Sequence, residues 1–186
     1  EAEESYREAL RLRPNFPETY NNLGILLENQ GAFARAVDAY REALRIKPSA
    51  ADVHNNLGVA LAAQRKYEEA AASYRRALAL TPNSALALNN LGNSLRALGQ
   101  IDEAVRSLRQ AIRLKADYAE AYSNLGLALR DKGQLDDAVG VFRRTIALNP
   151  KRSDAHFNLA NALKEQGHRD EAIAAYRQAI ALAPSF

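Results

Sequence analysis

Residues 20–31 read "YNNLGILLENQG", and the stretch places two asparagines inside a segment that otherwise has helical character. Asparagine is a poor helix-interior residue, because its amide competes for nearby backbone groups. The pattern nevertheless returns as "HNNLG" at 54–58, "LNNLG" at 88–92, "YSNLG" at 122–126 and "HFNLA" at 156–160. A mild helix-breaker kept at one place five times implies an internal repeat, and its period decides the architecture.

That period is 34 residues. It carries Asn22, Asn56, Asn90, Asn124 and Asn158; Leu23, Leu57, Leu91, Leu125 and Leu159; and Gly24, Gly58, Gly92 and Gly126, with Ala160 as the small substitute. Downstream it carries Ala36, Ala70, Ala104, Ala138 and Ala172, and a bulky series of Tyr40, Tyr74, Leu108, Phe142 and Tyr176. Pro14, Pro48, Pro82, Pro150 and Pro184 close the units, with Ala116 where one is missing. Five full copies, 17–50, 51–84, 85–118, 119–152 and 153–186, follow a half copy at 1–16.

Each copy predicts two helices. In the second, Leu57, Val59, Ala60 and Leu61 mark the first helix, a break falls near Arg65, and Tyr67, Ala70, Tyr74, Ala77 and Leu78 mark the other, which stops at Pro82. Asn15-x-x-Glu18, Ser49-x-x-Asp52 and Asp117-x-x-Glu120 have capping-box spacing. Gly31, Gly99, Gly133 and Gly167 fall where a left-handed cap ends the first helix, and Arg65 replaces the glycine in one copy. Glu68-Glu69, Asp102-Glu103 and Asp136-Asp137 open the second helix, beside its positive dipole end. The small Gly and Ala positions allow close helix approach, and the Leu and Tyr series fills the groove against the next unit. One helix pair cannot bury its apolar faces alone, so the units stack. Residues 1–186 are therefore expected to form one all-α array.

The composition suits such an array and narrows its chemistry. An apolar fraction of 47% supplies a core, and a net charge of +3 is too small for a nucleic-acid arm or a polybasic membrane patch. The absence of Cys excludes disulfides, thiolate metal sites and thiol nucleophiles, and the absence of Met points to a piece of a longer protein. The chain has no membrane-length apolar run, no Gly-rich phosphate loop and no aromatic platform for bases. His54 and His156 lie three units apart and cannot share a metal, and His168 has no nucleophile or second ligand in a recognisable arrangement. No enzyme activity, cofactor, metal, nucleic acid or membrane is expected, and the expected setting is intracellular and cytoplasmic.

A bulky residue, x-x-Leu-Gly, an Ala twelve residues after the Gly, an aromatic four later and a closing Pro resemble the tetratricopeptide repeat (TPR) signature, over essentially the whole chain. His54, Leu88 and His156 depart from it at the aromatic position, as do Leu27, Leu61, Leu95, Leu129 and Leu163 where Tyr is common; Thr145 replaces a small Ala. The resemblance implies a right-handed α-solenoid, a superhelix whose first helices line a concave face that binds extended peptides. The partner would be a protein or an extended peptide held by Asn21, Asn22, Asn55, Asn56, Asn89, Asn90, Asn93, Asn124, Asn158 and Asn161. Helices pack ~8–10 Å apart and an extended chain rises ~3.3 Å per residue, so one rung meets about every third residue. A carboxamide both donates and accepts, and so can read peptide backbone whatever the side chains. The competing reading is that these amides bond one another between units and fix the stack.

The "NNLG" units and "RAVDAYREALRIKP" at 35–48 look similar to the repeat arrays of O-linked N-acetylglucosaminyltransferases, which implies a substrate-recognition array lacking its catalytic domain. A two-carboxylate clamp does not fit, because Glu18, Asp52, Leu86, Glu120 and Asp154 stand where cations are needed. Arg96, Arg130 and Lys164 form a candidate anion-contacting stripe, with Glu28 and Ala62 in the matching places earlier. Arg7, Arg41, Arg75, Arg109, Arg143 and Arg177 form an outer ladder, read as stems covering the seam and pairing with nearby acids. The C-terminal "ALAPSF", with no polar helix after Ile173, Tyr176 and Ile180, predicts self-association through uncapped ends or further adjoining repeats. A third functional class is thus an oligomerisation module without a peptide ligand.

Overall fold

The computed structural model describes residues 2–183, so Pro184, the last of the closing prolines, lies outside the described residues. Among the described residues there are eleven α-helices and no strand. They are α1 (Ala2–Leu12), α2 (Pro17–Asn29), α3 (Phe33–Ile46), α4 (Ala51–Ala63), α5 (Tyr67–Leu80), α6 (Ala85–Ala97), α7 (Ile101–Leu114), α8 (Ala119–Asp131), α9 (Leu135–Leu148), α10 (Ser153–Glu165) and α11 (Arg169–Leu182). The fold class is an α-solenoid of helix-pair repeats. Contacts divide the chain into two compact bodies, Glu1–Ser94 and Leu95–Phe186. In the first, α2 pairs with α3 and α4 with α5, while α1 packs on α2 and α3 on α4. In the second, α8 pairs with α9 and α10 with α11, while α7 packs on α8 and α9 on α10.

The helices start one residue later than the capping boxes predict. The N-cap residues are Phe16, Ala50 and Tyr118, and none makes a side-chain cap bond. Asn15, Ser49 and Asp117 sit one place too early to reach the N3 amide, and the first turns close on backbone carbonyls, as in His54 N–H to Ala50 O at 3.1 Å. At α6 a hydroxyl does cap: Ala87 N–H donates to Ser84 Oγ at 3.2 Å. The acidic pairs do open α5, α7 and α9.

The turn glycines behave as read, with φ of 74° at Gly31, 74° at Gly99, 79° at Gly133 and 87° at Gly167. Arg65 takes the same left-handed place at φ 60°, where a side chain is strained by about 1 kcal/mol. Arg65→Gly is therefore expected to stabilise the protein by about 1 kcal/mol, less the extra unfolded-chain entropy of glycine. A higher urea midpoint checks this; an unchanged or lower midpoint counts against strain at that turn.

The core series packs ring against glycine. Tyr40 and Phe142 are 0% exposed and Tyr74 2%. An added Cβ at Gly24 would meet the ring of Tyr40, at Gly58 that of Tyr74 and at Gly126 that of Phe142, each at 2.4–2.5 Å. The glycines thus seat the bulky residue of their own helix partner. Thr145, in the Ala43, Ala77 and Ala111 series, is fully buried and donates its hydroxyl to Val141 O at 3.1 Å, which satisfies the extra polar atom.

Tyr40 Oη donates to Glu28 Oε2 at 2.9 Å. Burial, and then the Glu28 charge, push the Tyr40 phenol well above its ordinary 10.0, and the same two causes raise Tyr74. Ionisation is favoured in the unfolded chain near pH 10 and opposed in the folded one, so this stability is fully present below about pH 10 and is lost as pH rises beyond it. The expected slope is up to about 1.4 kcal/mol per pH unit for each phenol. Melting temperatures between pH 9 and 11.5 should fall more steeply for the wild type than for a Tyr40→Phe/Tyr74→Phe variant; parallel curves would refute it.

Candidate interaction surface

Adjacent asparagines in a helix point about 100° apart, so each "NN" pair splits into two columns with different surroundings. Asn55 and Asn89, in the first column, are 9% and 1% exposed, while Asn21 is half-buried. In the second column Asn22 is exposed, and Asn56, Asn90, Asn124 and Asn158 are half-buried. The columns are bonded across repeats: Asn56 Nδ2–H donates to Asn21 Oδ1 at 3.1 Å, and Asn90 Nδ2–H donates to Asn55 Oδ1 at 3.2 Å. Asn89 Nδ2–H reaches Asn90 Oδ1 at 3.4 Å. Asn55 and Asn89, expected as peptide contacts, are thus buried and each bonded to Asn90, with Asn55 also at the edge of the cleft described below. Asn93 is exposed, and Asn161 accepts from Tyr176 Oη at 2.6 Å.

The sequence holds a signal for this split. The first column lapses to Ser123 and Phe157 in the last two repeats, whereas the second keeps asparagine in all five. An amide carries two N–H groups and an oxygen with two lone pairs, so Asn56 retains one N–H and its Oδ1 after bonding Asn21.

The predicted anion stripe is largely neutralised. Arg96 Nη1 pairs with Asp131 Oδ2 at 2.9 Å, and Arg130 lies 3.8 Å from Asp131 and 3.9 Å from Glu165. These acids stand on the first helices of their repeats one residue after the basic column, so Arg96 and Arg130 each lie beside the following repeat's carboxylate. Lys164 is exposed. On the outer helices, Arg41 pairs with Glu69 at 3.2 Å and Arg143 with Glu171 at 2.9 Å, both exposed and so worth ~0–1 kcal/mol.

His54 Nε2–H donates to Pro48 O at 2.9 Å, and His156 makes the equivalent bond to Pro150 O at 3.1 Å. Both thus close the turn before their helix. No group of three His, Asp or Glu is placed to hold a metal among the described residues. No helix among them is long and apolar enough to cross a membrane.

One feature was not legible in the composition or the period. A cleft of ≈710 Å³ opens beside the ladder in the first body, bordered by Asp52, Asn56, Leu80, Thr81, Leu86 and Ala87.

Comparison with known proteins agrees with this geometry. The sequence profile described as "Tetratricopeptide repeat" matches residues 1–51, 33–85 and 124–185, and a second profile of that description matches 73–106. A profile described as "TPR repeat" matches 92–129. Among curated protein sequences the chain has no match. Solved structures are similar over most of its length. MamA is 28% identical with a TM-score of 0.78, over 86% of this chain and 94% of that one. YrrB, described as a TPR protein with an unusual peptide-binding site, is 26% identical with a TM-score of 0.76, over 98% and 94%. PilF of Pseudomonas aeruginosa is 27% identical with a TM-score of 0.80, over 90% and 76%. With profiles of that description spanning well over half of its residues, this chain belongs to the tetratricopeptide repeat family.

Proposed function

We propose that the chain is a protein-interaction module whose second-column asparagines hold an extended peptide segment by its backbone. The observation that carries this is the bonding of Asn56 and Asn90. One amide proton of each is tied to the preceding repeat, which fixes the carboxamide, while further hydrogen-bonding capacity remains. A rung fixed in advance loses less entropy on binding than a free side chain. Asn22, Asn56 and Asn90 serve in the first body, and Asn124 and Asn158 in the second. The peptide-binding site ascribed to YrrB lends support, since that protein shares this fold over nearly the whole chain. The likeness to glycosyltransferase arrays gives a variant of the same reading, in which the held segment is a substrate of an adjoining transferase domain; a gene without such a domain removes the variant.

The test is titration of the protein with a random extended-peptide library, beside an Asn56→Ala/Asn90→Ala/Asn124→Ala variant and Asn22→Ala. The triple variant is expected to bind at least about tenfold more weakly, as two or three lost hydrogen bonds would require. Asn22→Ala, which breaks no bond to a preceding repeat, should weaken binding with unchanged melting. Undiminished binding by the folded triple variant sinks the proposal.

The Asn–Asn bonds also favour a second reading, a ladder that only locks repeat to repeat. It predicts early melting of the triple variant and no peptide binding by the wild type. Self-association is a separate possibility, raised by Ile173 and Ile180, 48% and 56% exposed on α11. A monomeric mass by light scattering at high concentration counts against it.

A further inference from the structure

The ≈710 Å³ cleft has a counterpart one repeat earlier, and the comparison shows why it is open. The earlier cleft measures ≈50 Å³ and is bordered by Pro17, Glu18, Lys47 and Asp52, among others. Moved by 34 positions, every residue lining the small cleft lines the large one. Six of the seven corresponding positions differ; Ala51 for Pro17, Asp52 for Glu18, Thr81 for Lys47 and Ala87 for Val53 are smaller, and Leu86 for Asp52 is apolar.

In the small cleft Lys47 reaches over to Glu18, with Nζ 3.8 Å from the carboxylate. In the large one Thr81 is short, and its hydroxyl turns back to Ala77 O at 3.0 Å, so nothing bridges the junction. Leu86 is the apolar exception at a first-turn position where Glu18, Asp52, Glu120 and Asp154 stand in the other repeats. It is 52% exposed, and Leu80 on the facing wall is 43% exposed. Water therefore covers two leucines that the other junctions do not present together. Asp52 is the single ionisable residue at this cleft. Lys47, which borders the smaller cleft together with Asp52, is engaged by Glu18, and Asp52 itself has no ion pair among the described residues. Asn56 lines the same cleft, so a backbone rung and a side-chain pocket lie next to each other.

We propose that this junction is the specificity pocket of the interaction surface: it takes a bulky aliphatic or aromatic side chain of the bound segment, with an adjacent lysine or arginine held at Asp52. This rests on the backbone-holding reading above and adds selectivity to it. The leucine walls gain by desolvation against an apolar side chain. The lone carboxylate draws a cation and turns away acidic segments, which is discrimination by charge as well as by fit. The volume falls within the range of small-ligand pockets, roughly 300–1,000 Å³, and so has room for a bulky side chain.

The experiment is selection from a random twelve-residue phage-displayed peptide library by three proteins. These are the wild type, Thr81→Lys/Leu86→Glu and Asp52→Lys. In the double variant Thr81→Lys recreates, with Asp52, the pair that Lys47 and Glu18 form at the preceding junction, and Leu86→Glu puts an acid where that junction has Asp52. That variant should fold, which circular dichroism checks, and Asp52→Lys is an independent surface change. The wild type is expected to enrich Lys or Arg beside Leu, Ile or Phe. The double variant should lose that preference, and Asp52→Lys should exchange the basic residue for Asp or Glu. A selected peptide, made synthetically and followed by fluorescence anisotropy, should bind about tenfold more weakly when its apolar residue becomes Ser. Enrichment without the basic–apolar pair, or the same peptides chosen by the double variant, overturns the pocket and leaves backbone holding intact. No enrichment by the wild type overturns both.

Discussion

Gly58→Val is expected to lower the unfolding free energy by about 3 kcal/mol, the upper end of the cost of forcing extra atoms into a packed core. A Cβ at residue 58 would stand 2.5 Å from Tyr74 Cε1 and 2.8 Å from Cδ1 and Cζ. Real carbon contacts begin a full ångström further out. The ring cannot step aside cheaply, because Tyr74 is 2% exposed and enclosed by α4 and α5. Valine's better helix propensity than glycine recovers less than about 1 kcal/mol, so overpacking wins. Urea unfolding followed by circular dichroism gives the number. A second-site change supplies the control: Gly58→Val/Tyr74→Leu should recover part of the loss, since Leu108 holds that position in the following repeat. A Gly58→Val midpoint equal to that of the wild type would mean the ring is not held against the glycine.

The 34-residue period made most of the fold readable, because it repeats a small residue, a ring and a turn glycine at fixed offsets. The turns at Gly31, Gly99, Gly133 and Gly167 follow from residue type alone, since the left-handed backbone there selects glycine. The helix starts were misplaced by one residue at Phe16, Ala50 and Tyr118, where polar residues with capping-box spacing sit beside the true cap. Backbone bonds close those first turns and leave the side chains idle. For the site, the asparagine ladder was legible as a column, but its division into more and less buried members left one trace only, the lapse of the first column to Ser123 and Phe157. Asn55 and Asn56 are chemically identical, and their 100° separation on the helix decides which is covered. The partners of the arginine stripe were hidden for a related reason: Arg96 and Arg130 were read along one helix position, while Asp131 and Glu165 answer them from the next repeat. The cleft at Leu86 is a departure from the period, and a reading built on what repeats passes over what does not.

The same limit applies to energetics. Phe142→Ala is expected to cost about 3–5 kcal/mol, and Tyr176→Ala less than half of that, although the two residues share one position in the repeat. Phe142 is 0% exposed, sealed beneath by Gly126 and packed where α10 lies on α9. Its neighbour Val139 is 6% exposed. At the equivalent of Val139, Ile173 is 48% exposed, and Tyr176 is half-buried, edge-on to Phe157 with ring centroids 5.7 Å apart. Truncation at 142 leaves a closed void, which carries a cavity cost beyond the lost transfer energy. Truncation at 176 opens to solvent and carries mainly the transfer term. Ala160, which replaces the repeat glycine in the last copy, accords with this, since the half-buried Tyr176 ring has room to yield to its methyl group. In a stack of repeats the loss is borne by the altered unit and its neighbours. Hydrogen exchange on Phe142→Ala should therefore quicken most in α8, α9 and α10. Equal losses at 142 and 176 would show that position in the repeat, and not cover by the next one, sets the energy of the core.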